Sequence, residues 1–207
     1  QQKRAEAGKK VKQPALEGDN EVKAAKKSAP EAVEILPNYL RARALLGWLY
    51  EVRLGGVDRS MTQYEYIIRH TRTKTLSDKK LKAEALSNKG TLIFIKTRNA
   101  NKAIEFYTLA INTYPNWQYA DKASNLYIHL GDNQKALETG EKALKSLLRL
   151  KKKLDIEVGR FSGPKLRASK ERLTLVTSQL TKVSVQVAAC YQLLGKQEKS
   201  KEVLKGI

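Results

Sequence analysis

Residues 99–147 read as helix, turn, helix, turn, helix, and this alternation limits the possible folds more than any other feature of the chain. Ala103, Tyr107 and Ala110 fall on one helical face. Tyr114-Pro115-Asn116 ends that segment, because the residue before a proline is pushed out of the α region. Ala120, Ala123, Ser124, Tyr127 and Leu130 then recur at spacings of three and four. Gly131-Asp132-Asn133 stops this second helix, and Ala136, Leu137, Ala143, Leu144 and Leu147 mark a third. Small residues alternate with large ones, so neighbouring backbones can approach closely while Tyr and Leu fill the gaps. Ala103 and Ala136 stand 33 positions apart, a period expected of stacked helical repeats.

The same spacing recurs along most of the chain. Gly47, Tyr50, Gly55, Ser60 and Tyr64 fit it once, and Gly90, Ala103, Tyr107, Ala110 and Pro115 fit it again. Ser124, Tyr127, Leu130-Gly131, Ala136 and Ala143 form a third copy; Ala188, Tyr191, Leu194-Gly195, Ser200 and Leu204 form a fourth. Over residues 38–207 this resembles the tetratricopeptide repeat (TPR), whose pattern combines small residues, an aromatic, a Leu-Gly turn and a closing proline. The resemblance implies an all-α fold: a right-handed superhelix of antiparallel helical hairpins, about four repeats long. Departures are local. The first two copies carry an extra residue before the second helix, Gly140 stands where an aromatic is usual, and only the second copy keeps the proline.

The regular period stretches after the third copy. Gly159 and Gly163-Pro164 are expected to break the chain, with Pro164 suited to a first helical turn. Leu166, Leu173, Val176, Leu180, Val183, Val187, Cys190 and Leu194 then recur at three, four or seven, a coiled-coil-like seam. Two extended helices should therefore pair as an antiparallel finger projecting from the solenoid edge. Residues 145–170 of this finger hold nine basic residues against two acidic. The connection read at residues 69–82 holds six against one. Both insertions follow the second helix of a repeat, so both should emerge on one edge. The expected basic rim comprises Arg69, Arg72, Lys74, Lys79 and Lys80 with Lys151, Lys152, Lys153, Arg160, Lys165 and Arg167. Residues 1–36 lack aromatics, are rich in Ala, Lys and Glu, and read as a flexible tail before a repeat domain at 37–207.

Composition narrows the function classes. A formal charge of +19, from 40 basic and 21 acidic residues, favours anionic partners or surfaces. The single cysteine, Cys190, excludes an intrachain disulfide and falls on the apolar seam, as a small buried hydrophobe would. The longest apolar runs are far below the roughly 20 residues that a membrane span needs. The chain starts at Gln1 and Met61 is its sole methionine, which allows either a removed signal or targeting segment, exported or organellar, or trimming. His70 and His129 are the only histidines and neither has a Cys or His at ligand spacing. No catalytic group, metal site or cofactor is expected. The segment Gly159-Arg160-Phe161-Ser162-Gly163-Pro164-Lys165 lacks the spacing and the Lys-Ser/Thr ending of a phosphate loop, and it follows a helix.

In the repeat family, peptides bind a concave groove lined mainly by the first helix of each hairpin. Mapped here, that face comprises Trp48, Asn88, Thr91, Ile95, Lys122, Asn125 and His129. Asn88 and Lys122 match two places of the clamp with which some members hold a C-terminal carboxylate. Ala44, Trp48 and Gln118 depart from it, so a full clamp is not expected. The reading that follows is a non-catalytic scaffold or adaptor for a multiprotein assembly, binding protein partners with acidic segments. An RNA-associated subunit of a ribonucleoprotein particle is the alternative. The near absence of aromatics among the basic residues, Phe161 excepted, favours protein, since single-stranded RNA is held largely by stacking.

Overall fold

The structure is a computed structural model, in which residues 33–34, 38–52 and 55–206 are described. From Leu40 on, the described residues form eight helices in succession: α1 (Leu40–Val52), α2 (Val57–His70), α3 (Leu76–Thr97), α4 (Ala100–Thr113), α5 (Trp117–His129), α6 (Asn133–Arg160), α7 (Gly163–Leu193) and α8 (Gln197–Lys205). They pair as four antiparallel hairpins, α1/α2, α3/α4, α5/α6 and α7/α8. Each hairpin stacks on the next through its second helix. Among the described residues there is no strand. The tail read at residues 1–36 lies outside the described residues except for Val33 and Glu34. These two are helical, and Val33 packs against Leu46 and Leu49.

Local chemistry sets the helix ends. Asn99 accepts from the Lys102 amide at 2.9 Å, Asn116 from Gln118 at 3.1 Å and Asp132 from Lys135 at 3.0 Å, each satisfying an orphan donor of a first turn. Gly131 and Gly195 close equivalent turns at φ of 75° and 72°, the left-handed region that other residues rarely adopt. At Thr75 a reciprocal cap forms: the Thr75 hydroxyl accepts from the Asp78 amide and the Asp78 carboxylate accepts from the Thr75 amide, both at 3.1 Å. That cap corrects the sequence reading of a long basic connection over 69–82. The helix α3 starts at Leu76, so the loop is only residues 71–75, and Lys79, Lys80 and Lys82 ride on α3.

Buried hydroxyls tie first helices to second. Ser60 donates to the Gly47 carbonyl and Ser124 to the Ala136 carbonyl, both at 2.8 Å. Close crossings need the small residues that the pattern supplied: Ala103, Ala110, Ala123, Ala136 and Ala143 are wholly buried. Gly140, the departure from the aromatic rule, has a tertiary cause. A Cβ there would stand 2.9 Å from Val187 Cγ2 and 3.2 Å from Ser124 Oγ, so a side chain could enter the α6–α7 crossing only by displacing Val187.

The last pair of long helices forms the finger. At 28 and 31 residues, α6 and α7 run about 42 and 46 Å at 1.5 Å per residue, twice the length of the 13-residue α5. Leu147 and Leu154 of α6 bury against Val176, Leu180, Val183, Val187 and Cys190 of α7 in one continuous core, with Leu173 and Leu194 partly buried at its margin. Gly159, read as a chain breaker, lies inside α6, and the reversal falls on residues 161–162. Nothing stands within 4 Å of a Cβ built on Gly159, so it neither packs nor turns.

Candidate functional site

The inner helices α1, α3, α5 and α7 present matching positions in register. Positions 48, 91, 125 and 189 correspond, as do 52, 95, 129 and 193 and 45, 88, 122 and 186, at offsets of 43, 34 and 64 residues. Two adjoining concavities occupy the space between these helices. A cavity of about 590 Å³ is lined by Lys80, Glu84, Ser87 and Asn88 of α3, by Trp117, Gln118, Asp121 and Lys122 of α5, and by Gln179 of α7. A smaller one of about 290 Å³ lies between Leu45 and Trp48 of α1, Tyr64 and Ile67 of α2, and Leu81, Ala85 and Asn88 of α3. Glu84 and Asn88 border both, which makes the two one groove.

Lys122 is the central charge. Its Nζ donates to Thr91 Oγ1 at 3.1 Å and to Ser87 Oγ at 3.4 Å, and it lies 5.7 Å from the centre of the Tyr107 ring. Thr91 in turn shares a 3.0 Å hydrogen bond with the Tyr107 hydroxyl. Burial pulls the Lys122 pKa below the ordinary lysine value, while the carboxylates of Glu51, Asp121 and Glu84 oppose that shift from a distance. No carboxylate forms an ion pair with Lys122 among the described residues. Its close partners are neutral hydroxyls. The Asp121 carboxyl is pushed up by burial, with Asn125 and Lys122 acting the other way. Tyr64 donates to Glu51 at 3.1 Å. Burial, reinforced by that carboxylate, raises its pKa well above the tyrosine norm.

The seven groove residues named from sequence fall into three groups. Asn88, Thr91 and Lys122 meet at the groove centre. Trp48 lies on the wall of the smaller cavity, 40% exposed. Ile95, Asn125 and His129 are exposed toward the ends of α3 and α5, and His129 meets Phe94 edge-on at 6.3 Å between ring centres. Sequence reasoning missed Glu84, Asp121 and Gln179, and it placed Lys80 on the rim although that residue lines the groove. Part of the signal was available in the register, which extends to α7 by aligning Gln186 with Lys122 and Leu193 with His129.

The rim residues divide between two supports. Arg69 ends α2, Arg72 and Lys74 lie in the 71–75 loop, and Lys79 and Lys80 occupy the first turns of α3. On the finger, Lys151 pairs with Asp155 at 3.0 Å, Lys153 with Glu157 at 3.9 Å and Arg167 with Glu171 at 3.1 Å. Lys152, Arg160 and Lys165 form no ion pair among the described residues. Lys80 and Gln179 border the same cavity, so the start of α3 faces the middle of α7 across the groove. Among the described residues no group of three or more His, Cys, Asp or Glu could hold a metal ion, and no helix is long and apolar enough to cross a membrane.

Four stacked hairpins around a concave groove define a TPR-like helical-repeat solenoid. The crystal structure of MamA superposes with a TM-score of 0.57 at 15% identity, covering 91% of this chain and 87% of that one. A second MamA structure gives 0.56 at 15% identity, covering 91% and 81%. The crystal structure of BtubC from P. vanneervenii gives 0.50 at 15% identity, covering 92% and 89%. At such identities the likeness is one of fold. No protein-family model matches this chain, and no curated protein matches it by sequence.

Proposed function

We propose that this protein is a non-catalytic scaffold or adaptor that holds a segment of a protein partner along the concave groove, with its basic edge as a second point of attachment. The observation that carries the reading is Lys122: a half-buried ammonium at the groove centre whose hydrogen bonds among the described residues go to the hydroxyls of Ser87 and Thr91. A cation held that way has given up water without gaining an anion, a cost that a ligand carboxylate or carbonyl would offset. An apolar wall flanks it on the α1 side, where Leu45 and Trp48, 39% and 40% exposed, line the smaller cavity. Such a groove fits a peptide with a polar or acidic group beside an apolar anchor. Glu84 and Asp121 bring negative charge to the same space, which disfavours a bare polyanion there.

The test is affinity capture from native extract, with and without nuclease, using wild type and the Lys122→Gln and Trp48→Ala variants as bait. The expected result is a discrete protein partner that survives nuclease and is reduced with either variant. Partners lost on nuclease treatment, or retained equally by both variants, would overturn the reading.

A further inference from the structure

The outward face of α6 carries features that the concave groove does not use. Leu148 and Ile156 on this face are 45% and 47% exposed, and Leu144 lies half-buried one turn before Leu148. Together with Glu141, Lys145, Arg149 and Lys152 the two leucines line a shallow trough of about 520 Å³. Its negative charges are committed elsewhere: Glu141 accepts from the Tyr191 hydroxyl, and Asp155 is held by Lys151. Lys145, Arg149 and Lys152 form no ion pair among the described residues. From Glu141 to Ile156 the face extends about 22 Å, four helical turns.

We propose that this face of α6 is a second docking site, and that its occupant is an acidic amphipathic helix of a partner protein. The apolar floor is Leu144 and Leu148, four residues apart, with the exposed Ile156 about two turns further along α6, so the apolar stripe of an incoming helix can pack on all three. The lip is positive, so Asp or Glu beside that stripe would meet Lys145, Arg149 and Lys152. A bilayer is a poorer match, because a plane resting on the lip leaves the recessed Leu144 untouched. RNA is poorer still, because the trough offers no aromatic ring for a base to stack on. The site is separate from the groove, none of whose lining residues lies on α6. It therefore stands or falls independently of the reading of Lys122.

The experiment uses the whole chain and fluorescence anisotropy with two labelled peptides of about 18 residues, five helical turns. One has Leu at three- and four-residue spacing flanked by Glu. The other has the same composition, scrambled so that no stripe forms. The striped peptide should bind at least roughly tenfold tighter than the scrambled one. Leu148→Asp should remove that difference. Lys145→Glu/Arg149→Glu/Lys152→Glu should weaken the acidic peptide by a similar factor and gain affinity for a Lys-flanked version. The Leu148-dependent part of the binding should be the same in a Lys122→Gln background. Circular dichroism checks that each variant is folded, and the charge reversal alone decides the matter if Leu148→Asp is not. Equal binding of striped and scrambled peptides would overturn the proposal. So would binding of neither peptide, or Leu148-dependent binding only to vesicles of phosphatidylcholine with about one-third phosphatidylserine.

Discussion

Two glycines of α6 make a matched pair. Gly140 and Gly159 sit in the same helix, Gly140 in its interior and Gly159 in its last turn, so alanine brings a propensity gain of about 1 kcal/mol at the first and a smaller gain at the second. Their surroundings differ. At Gly140 the new methyl would be 2.9 Å from Val187 Cγ2 and 3.2 Å from Ser124 Oγ, while at Gly159 it meets nothing within 4 Å. Ordinary contact begins near 3.4 Å, so Val187 must retreat by about half an ångström in a close-packed interior. Val187 is 1% exposed and Ser124 is engaged with both the Ala136 carbonyl and the Gln186 amide, so neither yields freely. Overpacking of this kind costs about 1–3 kcal/mol. Because the interior site gains the more from propensity, the difference between the two variants is a lower bound on that cost. For a chain of this size each kcal/mol moves Tm by about 2–4 °C. Gly159→Ala should therefore melt above wild type, and Gly140→Ala should melt below Gly159→Ala by roughly 2–12 °C. Thermal unfolding followed by circular dichroism measures both. Equal shifts for the two variants would refute the tight α6–α7 crossing, and with it the account of why an aromatic is missing at Gly140.

Other expectations concern packing, charge and pH. Ala103→Trp or Ala136→Trp should each destabilise by at least about 1–3 kcal/mol in chemical denaturation, because both alanines are fully buried at helix crossings. Lys122→Met should raise Tm while weakening partner capture, since burial disfavours the ammonium in the folded state; a lower Tm would show that the hydroxyl contacts outweigh desolvation. The pKa of Tyr191 is pushed up to about 12 by its hydrogen bond to Glu141 and by burial, so its contribution is complete below pH 10 and is lost as pH rises toward 12. Denaturant titrations across that window should show a shallower loss of stability in Tyr191→Phe than in wild type. Replacing Lys151, Lys152, Lys153 and Arg160 together with Gln should leave the helical spectrum unchanged. The two ion pairs it removes are solvent-exposed and contribute under about 1 kcal/mol each. The same change should weaken binding of an anionic partner at low salt and matter less at high salt; undiminished binding at low salt would remove the finger as a docking surface.

The sequence by itself determined the four hairpins, the small residues at their crossings and the pairing of the two long helices. Those are local or periodic properties: Ala103, Tyr107 and Ala110 share a face through helix geometry alone, and the seam from Leu173 to Leu194 needs only a partner of equal length. Tertiary structure decided what the chain could not spell out in any single window. Lys122 meets Ser87 and Thr91 across 35 and 31 residues, and Gln186 meets Ser124 across 62. Such meetings depend on the angle and separation of stacked helices. Glu84, Asp121 and Gln179 entered the groove for the same reason. The start of α3 turned on the Thr75–Asp78 cap, which outweighed a run of lysines that reads as loop. Gly140 shows the division most clearly. In the sequence it is a lapse from a repeat pattern, and only the approach of Val187 from a helix 47 positions away reveals that a larger residue must push that side chain aside.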